Sequence, residues 1–400
     1  MAFILFDTVS TRKNLLPLTF TRPVCDCRCG ILTIREKWEL LLGEKTYTLT
    51  EDYLQRKFPA ANTQGISVYI NGSVFPDNEL QKAVCGLKED EALISGKTLL
   101  AFVSKRPQLN HENMEAIAHS FKAIDYSSTF LSIQFPYQIF SLNGEAVKRD
   151  FELLTFGKKS QQLSDSNKII GDIHQLYLAP GAVVEGAVLN TKTGPIYIAE
   201  DAEIMEGSLI RGPFVLGEHA VVKMGAKIYG PTTIGPYCKV GGEISNSVFF
   251  AYSNKGHDGF VGNSVIAEWC NLGADTNTSN LKNNYSNVDV WNYTEGQLVE
   301  MDLQFHGMIM ADHAKSGINT MFNTGTTVGV SANVFGGDFP PKFIPGFCWG
   351  GNKWLRTFTF DKALEVAARM MERRGLVLPD EDVEILKEVF NRESKWRKDK

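Results

Sequence analysis

The sequence predicts three parts in order: an α/β domain, a parallel β-helix built from six-residue repeats, and a short helical tail. Three observations carry this. An aliphatic residue recurs every six positions through the middle of the chain, short apolar runs alternate with helical-period segments before it, and two segments of 3.6-residue period follow it. The expected boundaries are 1–165, 170–345 and 353–400.

The first segment alternates strands and helices. Phe3–Phe6 and Ile66–Ile70 have the length and apolar content of buried strands, while Ile34–Leu42, Asp77–Val84 and Glu145–Leu154 have helical spacing. Such alternation implies a largely parallel sheet. The polar stretch 160–168 is expected to link the first part to the second.

The repeat is clearest at Ile198, Ile204, Ile210, Leu216, Val222, Ile228, Ile234 and Val240. Leu178 and Val184 carry it earlier, and it returns at Ile266 and Leu272, then at Met310, Ser316, Phe322, Val328 and Val334. Neither a helix nor a flat strand repeats every six residues. Six suits a chain that folds into short straight segments with a corner after each. The aliphatic residue then points into a tube whose stacked coils bury what no single coil can. Beyond it, Asp361–Arg374 and Asp380–Phe390 read as helices, the first ending before Gly375. The basic terminus 392–398 is expected to be solvated.

Composition bounds the function. The chain has 400 residues, 43% hydrophobic and 22% charged, and a net charge of -5, which gives no electrostatic case for nucleic acid or an anionic membrane. No apolar run is long enough to span a bilayer, and the run 1–7 lacks the basic start of a signal peptide, so a cytoplasmic location is expected. Seven cysteines cannot all pair. Cys25, Cys27 and Cys29 share a face if extended, but lack a fourth ligand of matching spacing and are read as reduced, buried thiols.

The hexad rhythm lapses between Ile244 and Val261, and His257 stands in that lapse. An imidazole titrates near neutrality and can take a proton from an attacking amine. Glu243, fourteen positions earlier, would lie near it if a coil is about three hexads long.

The hexads, together with Glu243-Ile244-Ser245-Asn246-Ser247, Lys255-Gly256-His257, Phe260-Val261-Gly262 and Asn271-Leu272-Gly273-Ala274-Asp275-Thr276, resemble the acetyltransferase half of the bifunctional GlmU enzymes over most of residues 170–340. That family couples glucosamine-1-phosphate acetylation to uridylyl transfer. The resemblance implies a left-handed parallel β-helix, a homotrimer whose neighbouring subunits complete the site, and acetyl transfer from acetyl-CoA to the amine of an amino-sugar 1-phosphate. Carried over, His257 is the general base and Glu243 the acid that orients it. Asn271 contacts the sugar, Ala274 the acetyl-CoA region, and Lys227 the sugar phosphate in place of an arginine. Asn280 matches an asparagine near the reacting amine. Two positions depart from the family. Ser245 replaces a phosphate-binding lysine and Phe260 a sugar-binding tyrosine, so Lys255 or Lys282 is the candidate to restore the charge. A backbone N–H near Gly273–Ala274 would meet the developing oxyanion. The dense run 315–329 is read as Asn and Thr stacked within corners, and Lys353, after the Gly350-Gly351 hinge, as a candidate CoA-phosphate contact.

The N-terminal segment is similar to sugar-phosphate nucleotidyltransferases, giving an α/β nucleotidyltransferase-like domain. Leu15-Leu16-Pro17-Leu18-Thr19 and Arg22-Pro23 fit that pattern, but the loop glycines are absent, and Ser73 in Tyr69-Ile70-Asn71-Gly72-Ser73 replaces a metal-binding aspartate. The resemblance implies nucleotide-phosphate binding by Arg12 and Arg22, UTP as co-substrate and Mg2+ for this domain. Two other readings stand beside the bifunctional one. One is a sugar-1-phosphate nucleotidyltransferase whose β-helix only trimerises. The other is a non-catalytic scaffold that binds sugar nucleotides.

Overall fold

The computed structural model describes residues 2–61, 65–106 and 109–397; Met1 and Lys398, at the ends of two segments singled out above, lie outside them. The chain forms two compact units. One comprises residues 1–27 and 32–135, the other residues 28–31 and 136–400. The helix Asn143–Thr155 therefore belongs to the second unit.

The first unit holds a six-stranded sheet. Its strands are β1 (Ala2–Phe6), β2 (Tyr47–Leu49), β3 (Ser67–Asn71), β4 (Glu91–Ser95), β5 (Thr98–Ser104) and β6 (Lys122–Asp125), in the order β2-β1-β3-β5-β4-β6. β1 pairs parallel with β2 and β3, and β4 parallel with β6, but β5 runs antiparallel to both β3 and β4. The sheet is thus mixed rather than largely parallel. The reason is local: Gly96-Lys97 turns β4 directly into β5, with Gly96 at φ 59°, so no crossover helix intervenes. The helix Ile34–Leu42 forms where expected, with a Thr33/Glu36 capping box at its start and Gly43 in the left-handed region at its end.

The second unit is a three-sided parallel β-helix. Its faces are stacks of eight, nine and ten short strands. All neighbours are parallel except the last pair, Cys348–Gly350 with Leu355–Thr357. The hexad residues form its interior: Ile198, Ile204, Leu216, Val222, Ile234 and Val240 are fully buried, and Ile210 and Ile228 nearly so. One corner places a left-handed residue in every coil, from Asp201 through His219, Tyr237, Tyr252, Trp269, His313 and Ser331 to Phe347, at φ between 52° and 59°. Tyr237, Tyr252 and Trp269 stack there nearly parallel, with ring centroids 4.9 and 4.2 Å apart.

The lapse of rhythm between Ile244 and Val261 is not an insertion. Leu216 stacks on Ile234 eighteen positions later, whereas Ile234 stacks on Phe249 only fifteen later. The coil has lost residues at its corners, so the phase moves while the faces continue. The real insertion comes later. Leu272 stacks on Ser316, and the intervening chain carries an antiparallel hairpin, Asp289–Asn292 with Gln297–Glu300.

The ends of the β-helix are covered by segments read differently from the sequence. The stretch 160–168 does not hang as a linker. Gln161 and Asn167 donate to the carbonyls of Ala182 and Val184, and Lys168–Ile170 pairs with Val188–Asn190. The C-terminal segment is also packed. Trp396 meets Trp291 edge-on at 5.3 Å, and buried Glu393 accepts a hydrogen bond from the Tyr293 hydroxyl at 3.0 Å. Leu163 and Ile169 pack against the tube's apolar interior, whereas Trp396 packs against the hairpin residue Trp291 and against Phe343. The helices Phe360–Glu372 and Asp380–Arg392 lie where the 3.6-residue period put them.

Candidate active site

One cleft of about 800 Å3 opens on the β-helix, between one of its faces and the helix Phe360–Glu372 with the residues just after it. It brings together His257, Asn271, Gly273 and Ala274 from successive coils. Asn271 begins a strand beside Asn254, and Gly273–Ala274 forms the next corner. His257 sits on the corner 256–259, exposed. Among the described residues its ring makes no hydrogen bond or ion pair. The corner fits because Gly242 lies against it at φ 71°. A Cβ at Gly242 would come within 2.9 Å of the His257 carbonyl oxygen.

The cleft is strongly cationic. Lys223, Lys239, Lys315, Arg369, Arg373 and Arg374 line it, with no aspartate or glutamate in the lining. Desolvation lowers the pKa of Lys239, and Arg374, Lys223 and Arg373 lower it further by repulsion. Lys315, pushed down to about 8 by burial, donates to the His313 carbonyl at 2.8 Å. Crowded like charges in a half-dry cleft favour an anionic occupant. Sequence reasoning missed these cations because they come from three coils and from a helix and its end more than fifty residues further on. Arg374 also anchors that helix: its Nη2 donates to Asn254 Oδ1 at 3.0 Å and to the Tyr237 carbonyl at 3.3 Å. Lys353 does not line the cleft; the cations nearest the chain end that do are on or just after the helix.

The other expected site residues stand on the adjoining face. Lys227, Glu243 and Phe260 are stacked neighbours in register. Glu243 pairs with Lys227 at 3.9 Å, and among the described residues it makes no hydrogen bond to His257. The orienting bond implied by the spacing is therefore not formed within this chain, because the strand pairing puts Glu243 beside Phe260, three residues beyond the histidine. Asn280 Nδ2 donates to Asn263 Oδ1 at 2.8 Å. Neither candidate for the missing charge is available. Lys255 is 1% exposed and donates to the carbonyls of His257 and Asp258, at 2.7 and 3.0 Å. Lys282 pairs with Asp289 at 3.0 Å. The run 315–329 forms local turn bonds rather than stacked ladders: the Thr320 hydroxyl donates to the Gly317 carbonyl and the Thr326 hydroxyl to that of Asn323.

In the N-terminal unit the expectation for Arg12 fails. Its guanidinium is 2% exposed and all five N–H donors are engaged: Nε with Glu51, Nη1 with Asp7 and the Arg22 carbonyl, and Nη2 with the Thr19 carbonyl and the Tyr53 hydroxyl. None is left for a phosphate. Arg22 is buried as well. The residues at the end of β3 do not fit a Mg2+ ion. The Ser73 hydroxyl donates to Asn71 Oδ1, and Asp77 Oδ1 accepts from the backbone N–H of Glu79 and Leu80 as a helix cap. Among the described residues no group of three His, Cys, Asp or Glu side chains converges as metal ligands would. Cys25, Cys27 and Cys29 are buried and are not joined in disulfides.

A tube of hexad coils bearing a cationic cleft with an exposed histidine, joined to an α/β unit, defines the class. Comparison with known proteins agrees with both parts. Residues 3–159 match a family described as sugar nucleotidyl transferase. The chain is 27% identical over 312 residues to a bifunctional sugar-1-phosphate nucleotidylyltransferase/acetyltransferase of Sulfurisphaera tokodaii, covering 77% of this chain and 69% of that protein. It is 33% identical over 92 residues to a bifunctional protein GlmU of Methanococcus maripaludis, a match spanning 23% of this chain and 22% of that protein. Among solved structures, the polySia-specific acetyltransferase NeuO aligns at 13% identity with a TM-score of 0.27, over 48% of this chain and 86% of that one.

Proposed function

We propose that this protein transfers an acetyl group from acetyl-CoA to the amine of an amino-sugar 1-phosphate, with glucosamine 1-phosphate the favoured acceptor. The observation that carries the reading is the shared cleft: His257, Asn271 and the Gly273–Ala274 backbone line the same cavity as six cations and no acids. Acetyl-CoA is an anion with phosphates at one end and a thioester at the other. The cations of the face and of the helix Phe360–Glu372 meet the phosphates, and the thioester extends toward His257. The acceptor amine attacks the thioester carbon as His257 takes its proton. The Gly273–Ala274 backbone faces the oxyanion, and collapse of the tetrahedral species expels the CoA thiolate. Glu243, one coil below on the adjoining face, stabilises the imidazolium by its charge. Lys227, Phe260 and Asn280 form the acceptor side with Asn271, completed by neighbouring subunits of a homotrimer.

His257→Ala tests this by thiol release from acetyl-CoA in the presence of glucosamine 1-phosphate. Loss of a general base lowers kcat by about 10²–10⁴-fold. Unchanged turnover removes the base.

The family match over residues 3–159 favours a second activity in the same chain, nucleotidyl transfer to the acetylated sugar 1-phosphate with UTP, giving a UDP-sugar. Because Arg12 is fully engaged, this reading needs another phosphate ligand. Pyrophosphate release from UTP and N-acetylglucosamine 1-phosphate, without acetyl-CoA, tests it. No release with any sugar 1-phosphate and nucleotide pair leaves the acetyl transfer alone.

A further inference from the structure

One inward-facing ladder of the β-helix breaks its own chemistry. From coil to coil it runs Ile204, Val222, Val240, Lys255, Leu272, Ser316 and Val334. Its two immediate neighbours along it, Val240 and Leu272, are aliphatic and buried. A lysine at such a position loses hydration, which lowers its pKa to about 8 against the opposing fields of Asp258 and Asp275. An aliphatic residue would fill the site without that cost. The side chain does not cross to solvent. Its ammonium turns up to the corner directly above it and donates to two consecutive carbonyls, of His257 at 2.7 Å and of Asp258 at 3.0 Å.

The corner is also held by its neighbours: the Asp258 carbonyl accepts the Asp275 N–H at 3.0 Å and the Gly259 carbonyl the Glu243 N–H at 3.1 Å. Some equivalent corners add a closing bond of their own. In 223–226 the N–H of Ala226 donates to the Lys223 carbonyl, and in 273–276 that of Thr276 donates to the Gly273 carbonyl. In 317–320 the Thr320 hydroxyl takes the same part. The corner 256–259 begins and ends with glycine, and among the described residues it forms no such closing bond. Glycine at both ends leaves the backbone free to move. Among the described residues the polar side chain that grips its carbonyls is that of Lys255.

The geometry points to Lys255 as a positioning residue: its buried ammonium, bonded to the His257 and Asp258 carbonyls, holds the corner that presents the His257 ring to the cleft. The lysine touches neither substrate nor ring. It acts through the backbone, at the coil that carries the proposed base. This inference rests on the reading of His257 as the base.

The test is Lys255→Met, which keeps an apolar chain of similar length in the tube, with Lys255→Leu, which restores the aliphatic ladder, as the second variant. Hydrogen–deuterium exchange at the amides of Glu243 and Asp275, which donate to the Gly259 and Asp258 carbonyls, reads the corner without reference to activity. Exchange there is expected to accelerate by at least about tenfold while the rest of the flanking strands stays protected. Turnover is expected to fall by about 10–100-fold at unchanged acetyl-CoA KM, as for a misplaced base, while thermal stability holds or rises. A lysine that served only the fold would lower stability and leave kcat per folded molecule unchanged, which overturns the proposal. So does unchanged exchange in both variants. If wild-type protein shows no acetyl transfer at all, the reading of His257 fails, and the exchange result still decides whether the ammonium fixes the corner.

Discussion

His257 and Lys255 are two residues apart and face opposite ways, one into the cleft and the other into the tube. A six-residue repeat makes this possible, since a corner turns the chain between adjacent side chains. At this scale the acid partner is open to experiment. Glu243 is half exposed and only loosely paired with Lys227 at 3.9 Å, so in the proposed mechanism it acts on His257 only through its field. Glu243→Gln is expected to lower kcat by about tenfold, less than His257→Ala, with thermal stability unchanged. Under the proposed function the lysines of the cleft act on binding instead. Lys239→Ala and Lys315→Ala are each expected to raise the acetyl-CoA KM several-fold with little change in kcat, and the effect should shrink as salt is added. Isothermal calorimetry at two ionic strengths checks it.

The helix Phe360–Glu372 shows how an element contributes to a site that the repeat alone does not complete. Its inward side, Ala363, Ala367 and Met371, is buried, while Arg369, and Arg373 just after its end, reach the cleft. Arg374 fastens the end of the helix to the Asn254 side chain and the Tyr237 backbone. Arg369→Ala with Arg373→Ala is expected to weaken acetyl-CoA binding in a salt-dependent way without shifting the melting temperature. Arg374→Ala is expected to lower it slightly as well. Inside the tube, the coils stand or fall on the hexad residues. Ile228→Ala leaves a cavity in a closed ladder and is expected to cost about 2–5 kcal/mol by urea denaturation.

For the whole molecule, the packed C-terminal segment makes stability depend on pH. Glu393 is completely buried, and burial raises its pKa to about 7. Ionising it costs more in the folded chain than in the unfolded one. Its stabilising balance is therefore fully kept below about pH 4.5, lost progressively as pH rises toward 7, and level above that. The Glu393→Gln protein lacks this slope. The stability difference between wild type and Glu393→Gln should change by up to about 3 kcal/mol across that window, measured by denaturation at several pH values. Gly346 permits the arrangement, since a Cβ there would overlap the carboxylate.

The six-residue period by itself determined the tube, its interior and its three faces, because side-chain direction follows directly from repeat length. The 3.6-residue period likewise determined the two C-terminal helices, and the Gly–His corner pointed to His257, which lines the cleft. What only the tertiary structure decided depends on residues far apart in the chain. Which strand stands beside which put Phe260, not His257, next to Glu243. The fold of the N-terminal unit wrapped Arg12 in five acceptors, a state that no local motif records. The return of the C-terminal helix supplied half of a cationic wall. Phase shifts from short coils hid Lys255 at an interior position that the simple count of six from Val240 does not reach. Local periodicity carries direction, but register and long-range packing carry proximity, and a site is made of proximity.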